Sequence, residues 1–334
     1  MDDWLTAALR APAVLVTVAI VEGSVPREPG AKMLVTREGF AGTIGGGHLE
    51  HRAIDIARAM LDEGAAPRLE RFALGPSLGQ CCGGIAHLAF EVVDRDQMAL
   101  LHARRDVDTT RVLALDGGWA LFDADGTQLA GGPVPAFDRS AGTHVMRDDS
   151  GRRWLVDPIL APRARLCLFG AGHVGAAIVR ALADLPCRVT WVDERDDMFP
   201  PGVPANVTVE ATDTPEAVVE AAAPGTTFLV MTHSHALDLR LSIAILSRPK
   251  VTQPSDWFGL IGSDTKRRQF EHRLRERGID QARIDAMVCP IGLPGIAGKA
   301  PAVIAASVAA QLLTVWEALE TGAASPLQVS SEPN

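Results

Sequence analysis

Cys81 and Cys82 stand side by side in the run Leu78-Gly79-Gln80-Cys81-Cys82-Gly83-Gly84. Thiols set among glycines are poor core material. Glycine adds no packing and costs backbone entropy, so it serves where the chain turns sharply or lets something approach. Thiolates are nucleophiles and ligands for soft metals. Spacing narrows the choice. A Cys81–Cys82 disulfide would be strained, because bridged cysteines prefer Cα atoms about 5.5 Å apart. A structural zinc site wants four N or S ligands, commonly with Cys-x2-4-Cys spacing, and Cys81, Cys82 and His87 do not supply that. A redox Cys-x-x-Cys pair is absent from the sequence. A Cys–His dyad with His48, His51 or His87 as base stays open. A thiolate contact to a soft metal or a sulfur-bearing ligand suits the glycine-rich setting better.

Four further groups of residues can do chemistry. Gly23-Ser24-Val25-Pro26-Arg27 carries a guanidinium on a loop, suited to a planar or phosphorylated anion. Gly45, Gly46 and Gly47 open a helix, where backbone N–H groups favour an anion. The bland alternative for both is a tight turn with a solvated Arg27. Gly170-Ala171-Gly172-His173-Val174-Gly175 follows a strand and opens a helix, and Asp193 ends the next strand 23 residues beyond Gly170. That context reads as a Rossmann fold, with N–H groups available to a phosphate and Asp193 to a ribose hydroxyl. A vestigial site, or one for another phosphorylated ligand, is the alternative. Finally, Thr232-His233-Ser234-His235 with Asp238, then Ser263, Asp264 and Lys266, then the loop 290–295, all follow strands of that fold. His233 and His235 share the spacing of one strand face, but no third ligand has metal spacing, so pocket or helix-start roles fit them better.

The elements that position these groups follow from periodicity. Residues 13–22 read as a strand, 31–36 and 40–44 as a hairpin, 48–63 as a helix, and 69–74 and 85–93 as strands flanking the cysteine run. Together they predict a smaller α+β domain over 1–95. Residues 96–162 give a weaker signal of one short helix and strands broken by glycine turns, and read as an extension and linker. Strand and helix then alternate over 163–321, which predicts a C-terminal α/β domain with a Rossmann-like parallel sheet and helices on both faces. The last helix, about 301–320, is rich in alanine and expected on its own sheet, with a homodimer contact as the alternative. Residues 322–334 form a polar tail.

Composition excludes several classes. The 334-residue chain is 47% hydrophobic with a net charge of −9 and no basic tail or stripe, so nucleic acid and anionic membrane are not expected partners. The start, Met1-Asp2-Asp3-Trp4, lacks the positive region of a signal peptide, and the apolar run 12–21 is too short to span a bilayer. A cytoplasmic protein is expected. Five cysteines at irregular spacing do not form a disulfide framework; Cys167, Cys187 and Cys289 read as small buried residues. There is no tyrosine, which rules out the Tyr-x-x-x-Lys chemistry of short-chain dehydrogenases.

Seven motifs occur in order: Gly-Ser-x-Pro-Arg-x-x-Gly-Ala at 23–31, Gly-Thr-Ile-Gly-Gly-Gly-x-Leu-Glu at 42–50, Gln-Cys-Cys-Gly-Gly at 80–84, Gly-Ala-Gly-His-Val-Gly at 170–175, Met-Thr-His-Ser-His at 231–235, Ile-Gly-Ser-x-x-Lys at 261–266 and Pro-Ile-Gly-Leu at 290–293. Together they resemble the XdhC/CoxI family, the xanthine dehydrogenase accessory proteins, over nearly the whole chain; 95–160 and the tail match loosely. The doubled cysteine is similar to the xanthine dehydrogenase branch. The resemblance implies an accessory protein rather than an enzyme, although guiding sulfuration borders on catalysis. Such a protein binds the molybdenum cofactor, a molybdopterin, favours its sulfurated form, and inserts it into a xanthine dehydrogenase apoenzyme or a related molybdenum hydroxylase. It works with a cysteine desulfurase. Carried onto this sequence, the resemblance implies a possible molybdenum contact at Cys81 or Cys82, pterin and phosphate contacts at Arg27 and Gly45–Gly47, and a phosphate or nucleotide site in the Rossmann domain at Gly170, Gly172, His173, Gly175, Asp193, His233, His235 and Lys266. Two rival readings use the Rossmann domain alone: an NAD(P)-dependent oxidoreductase, and a regulatory protein that senses a nucleotide.

Overall fold

The computed structural model describes residues 3–7, 12–75, 83–249 and 256–321. The chain divides into two units, Asp2–Ala161 and Pro162–Asn334. The first contains α1 (Asp3–Thr6), β1 (Ala13–Glu22), β2 (Lys32–Val35), β3 (Phe40–Gly42), α2 (Gly47–Glu63), β4 (Arg68–Ala73), β5 (Ile85–Val93), α3 (Arg95–Ala103), β6 (Thr109–Ala114), β7 (Trp119–Asp123), β8 (Gln128–Gly131), β9 (His144–Arg147) and β10 (Arg153–Ile159). They build two antiparallel five-stranded sheets, in the orders β3-β2-β1-β5-β4 and β8-β7-β6-β10-β9.

The unbroken apolar run of β1 follows from burial on both faces of the first sheet. Val14, Val16 and Val18 face α2, whose Leu49, Ala53, Ala57 and Met60 form a single stripe. The alternate residues, Leu15 and Ala19, meet Leu121 and Ile159, and Leu113 and Leu155, from the second sheet. Residues 96–162, which the sequence suggests are an extension and linker, therefore supply α3 and a whole sheet of the first unit's core.

Where the two sheets meet lies a group of four buried charges. Lys32 Nζ is 2.8 Å from Asp157 Oδ1 and donates to Gly30 O at 2.8 Å. Arg111 pairs with Glu91 and, at 4.0 Å, with Asp157 Oδ2. These four side chains are 1–5% exposed. Burial pushes the Glu91 carboxyl above its ordinary range, and the Arg111 attraction only partly opposes this.

The second unit runs β11 (Ala164–Phe169), α4 (His173–Ala181), β12 (Cys187–Asp193), β13 (Val207–Ala211), α5 (Pro215–Ala221), β14 (Thr227–Val230), α6 (His235–Ser247), β15 (Trp257–Leu260), α7 (Asp264–Glu276), α8 (Gln281–Ala286) and α9 (Pro301–Thr321). Its parallel sheet has the order β13-β12-β11-β14-β15, and Val288 pairs in parallel with Gly259 beyond β15. This is the 3-2-1-4-5-6 order of doubly wound dinucleotide-binding sheets. One face is covered by α4 and α9, where Val308, Leu312 and Trp316 join Leu166, Leu168 and Trp191. The other is covered by α5 to α8, through Val219, Leu241, Phe270 and Ile284. The expected α/β class, with helices on both faces of a Rossmann-like sheet, is borne out. The final helix packs on its own sheet: its 21 residues are apolar enough to cross a membrane, but half of its most apolar stretch is buried in the protein.

Candidate functional site

The Rossmann residues singled out from the sequence all lie at the carboxyl edge of the parallel sheet. The strand order reverses between β11 and β14, and their two following loops touch there through backbone. A Cβ built on Gly170 would lie 2.4 Å from Met231 O, and Gly170 has φ +121°. A Cβ on Gly175 would lie 2.1 Å from Gly170 O, so α4 can sit this close to the turn only through a glycine. Trp191 Nε1 donates to Gly170 O at 3.1 Å and fixes the turn from β12. Gly172 differs: it has φ −73°, and a Cβ there would meet open space. His173 starts α4 and is exposed.

Asp193 is placed where the fingerprint expects it, but its carboxylate has other partners. Oδ2 accepts from Ala171 N at 2.7 Å and from Arg195 Nη2 at 3.1 Å. Oδ1 accepts from Arg195 Nε at 2.9 Å and from Arg195 N at 3.1 Å. Four donors fill the acceptor capacity of a carboxylate. Burial alone would raise this carboxyl; the hydrogen bonds from Arg195 and Ala171 outweigh it and hold it below the ordinary range. Asp193 thus braces the glycine turn against the end of β12. The partner that binds it, Arg195, was not singled out from the sequence, although a guanidinium two residues from a strand-end carboxylate is a readable signal.

Lys266 is placed similarly. Its ammonium donates to Asp238 Oδ2 at 2.6 Å and to Ile261 O at 2.8 Å, and its side chain is 10% exposed. Asp238, fully buried, also accepts from Thr232 N at 3.0 Å and Thr232 Oγ1 at 2.7 Å. This pair ties the loops after β14 and β15 together. Ser234 caps α6 by accepting from Leu237 N, which leaves His235 as an exposed first residue. His233 instead lines a small surface notch with the apolar side chains of Phe169, Val192, Leu237 and Leu241, beside Asp193, Glu194 and Thr232. Among the described residues no three His, Cys, Asp or Glu side chains converge as a metal site. The loop 290–295 is held by two residues of the final helix that no sequence motif marks. Gly292 N donates to Gln311 Oε1 at 2.8 Å, and Leu293 N donates to Ser307 Oγ at 2.7 Å.

In the first unit, Gly45, Gly46 and Gly47 have φ values of +119°, +78° and +64°. The anion that this turn holds is internal: Glu50 Oε1 accepts from Gly46 N at 2.8 Å, from Ile44 N at 3.0 Å and from the Thr43 hydroxyl. A Cβ on Gly45 would lie 2.5 Å from Pro26 Cβ, so the turn packs directly on the loop bearing Arg27. Arg27 Nη2 donates to Glu28 Oε1 at 3.1 Å and Nη1 to Thr43 O at 3.5 Å, leaving the guanidinium partly exposed.

Cys81 and Cys82 lie outside the described residues. The described residues on either side of that run join each other, since Leu74 N donates to Gly84 O at 2.8 Å. Gly84 N donates to Ser24 O at 3.1 Å, and a Cβ on Gly84 would lie 2.3 Å from that oxygen. His87 Nε2 is 3.2 Å from Glu22 Oε1 on the adjacent strand. The loops 23–31 and 42–50 and the Gly84 end of the cysteine motif therefore share one corner of the first sheet. Cys167, Cys187 and Cys289 are buried, and burial pushes each thiol up to about 11, which keeps them protonated and unreactive.

Comparison with known proteins agrees with this arrangement. The XdhC and CoxI family model matches residues 7–73, and the XdhC Rossmann domain model matches residues 166–312. The Escherichia coli protein YqeB, uncharacterized, is 28% identical over 311 residues, covering 91% of this chain and 43% of that protein. A probable xanthine dehydrogenase subunit from Bacillus subtilis is 26% identical over 198 residues, covering 55% of this chain and 60% of that protein. The matched stretches thus span less than two thirds of either relative. A crystal structure of a xanthine dehydrogenase from Bacillus halodurans superposes with a TM-score of 0.73 at 21% identity, covering 97% of this chain and 96% of that one, a likeness of fold. Two family models fall in order on the two units, each on a glycine-lined edge described above, and the chain belongs to the XdhC and CoxI family.

Proposed function

We propose that this protein serves xanthine dehydrogenase maturation as a chaperone of the molybdenum cofactor. The cofactor is its cargo: a pterin dithiolene with a phosphate tail, carried in its sulfurated form and inserted into the apoenzyme of xanthine dehydrogenase or a related molybdenum hydroxylase. A cysteine desulfurase supplies the sulfur. The work is done in the cytoplasm, where thiols stay reduced. The observation that carries this reading is the match of both units, in order, to the two XdhC models. The Bacillus subtilis relative, named for a probable xanthine dehydrogenase, points to the client.

The first unit's corner has chemistry suited to the cargo. The exposed part of Arg27 offers donors to a phosphate or a pterin carbonyl, beside the loop base from which the two cysteines extend in sequence. Thiolates there would meet molybdenum and its sulfur ligands, a soft-on-soft contact. Glu50 already neutralises the Gly46 N–H, so in this reading Gly45–Gly47 shape the corner and Arg27 provides its positive charge.

Purified protein saturated with molybdenum cofactor and then desalted tests the proposal. Wild type should retain about one molybdenum per chain, and the Cys81→Ala, Cys82→Ala double variant at least ~10-fold less, with an unchanged melting temperature. Full retention by the double variant would remove the thiols from the site. No retention by wild type would remove the chaperone function.

A further inference from the structure

We infer that the second sheet of the first unit sets the shape of the loop that carries Arg27, with Thr143 as a positioning residue for the cargo. The inference rests on the chaperone reading. It gives a role to a segment that lies between the stretches matched by the two family models, 7–73 and 166–312.

Arg27 is held only lightly by its own side chain. Its contacts are with its exposed neighbour Glu28 and, at 3.5 Å, with Thr43 O. Where the guanidinium points is therefore decided by the backbone beneath it. That backbone is a turn, in which Ala31 N donates to Glu28 O at 3.3 Å across Pro29 and Gly30. Proline second and a glycine with φ +97° third are the residues that a type II turn demands. Gly30 N donates to Val18 O at 2.8 Å and Val18 N to Ala31 O at 2.9 Å, which ties one side of the turn to β1.

The other side is tied to the second sheet. Lys32 Nζ donates to Gly30 O and pairs with Asp157 Oδ1, both at 2.8 Å. The same carboxylate oxygen accepts from Thr143 Oγ1 at 3.2 Å. Thr143 then closes the ring on Gly30 by contact, since a Cβ on that glycine would lie 2.9 Å from Thr143 Oγ1. The glycine is thus needed twice, by the turn and by the hydroxyl beside it. The Lys32 and Asp157 side chains are 4% and 1% exposed, so bulk water does not compete for these bonds.

Asp157 belongs to β10 and Thr143 immediately precedes β9. The stretch expected from the sequence to be a linker therefore supplies half of the clamp on the Arg27 loop. Asp157 also joins the two sheets, so replacing it would disturb more than the loop. Thr143 can be altered more narrowly.

The full chain, saturated with molybdenum cofactor and desalted, tests the role through the rate at which molybdenum is released. Thr143→Val should release it about 10-fold faster than wild type, through loss of one hydrogen bond to a buried carboxylate. Thr143→Ser keeps the hydroxyl and should stay within ~2-fold of wild type. In an Arg27→Ala background, Thr143→Val should add little, because the residue acts through Arg27. In the cargo-free chain, amide exchange at Gly30 and Ala31 should quicken about 10-fold in Thr143→Val while β6 and β10 keep their protection. The role is overturned if that exchange stays at the wild-type rate or quickens equally in β6 and β10. It is also overturned if the loss of molybdenum adds in full to that of Arg27→Ala. No retention by wild type overturns the chaperone reading and this role with it, whereas full retention by Thr143→Val beside a retaining wild type overturns this role alone.

Discussion

Asp157→Leu is expected to destabilise the first unit by about 3–5 kcal/mol, the cost of breaking a buried ion pair from one side. The substitution leaves Lys32 without its carboxylate and Arg111 with Glu91 alone, in a place where these side chains are 1–5% exposed. Water cannot replace the lost partner. A surface pair provides the contrast: Arg37 and Asp62 are 59% and 68% exposed at 2.9 Å, and Asp62→Ala should cost under ~1 kcal/mol. Removing Lys32 as well, in Lys32→Met with Asp157→Leu, deletes one charge of each sign and should recover part of the loss. Urea denaturation read by hydrogen exchange in β6 and β10 reports on this unit of the two-unit chain. If Asp157→Leu costs no more than Asp62→Ala, the four charges do not hold the sheets together.

The same four charges set a pH dependence. Burial raises the Glu91 carboxyl above its ordinary value of 4.5, so the folded state keeps this proton at pH values where the unfolded state has lost it. The contribution of Glu91 to stability is therefore fullest below about 4.5, falls as pH rises from there toward the raised folded value, and is flat above it. Glu91→Gln should remove that falling limb from a plot of stability against pH. A variant with the wild-type slope would show that Glu91 ionises normally in the folded state.

These buried charges also explain which parts of the structure could be read from the sequence. The second unit was legible because β14 and β15 are short apolar runs, α4 follows a glycine, and α6 and α7 follow capping serines. The second sheet of the first unit was not: Arg111 and Asp157 stand in β6 and β10 as core residues, and charges inside a strand erase the apolar alternation that marks it. The candidate sites show a similar division. Gly170, Gly175 and Asp193 could be placed by spacing alone, since the turn demands those types. What Asp193 does could not, because its donors are a backbone N–H and a side chain oriented by the fold. Glu50 was visible as an acidic residue in the first turn of a helix, a favourable place for one, yet only the folded loop shows that it accepts from Gly46 N and leaves less of the turn to an external anion.

Gly170 and Gly172 sit two residues apart in one motif, and alanine should have opposite consequences at each. Gly170→Ala is expected to cost about 3–5 kcal/mol, from a side chain forced to φ +121° and a Cβ 2.4 Å from Met231 O, a backbone atom that cannot swing away. Gly172→Ala has neither problem, with φ −73° and open space around the new atom, and should change stability by less than ~1 kcal/mol in either direction. If the glycine turn receives the phosphate of a nucleotide, the same methyl stands in its path, so Gly172→Ala should weaken that binding, measured by titration with NADH, about 10-fold in a protein that melts like wild type. A tolerated Gly170→Ala would contradict the backbone contact between the loops after β11 and β14. A Gly172→Ala variant that binds nucleotide at full strength would move the phosphate away from the start of α4. The pair separates what the motif does for the fold from what it does for a ligand, because one glycine is required by its neighbours and the other only by what approaches.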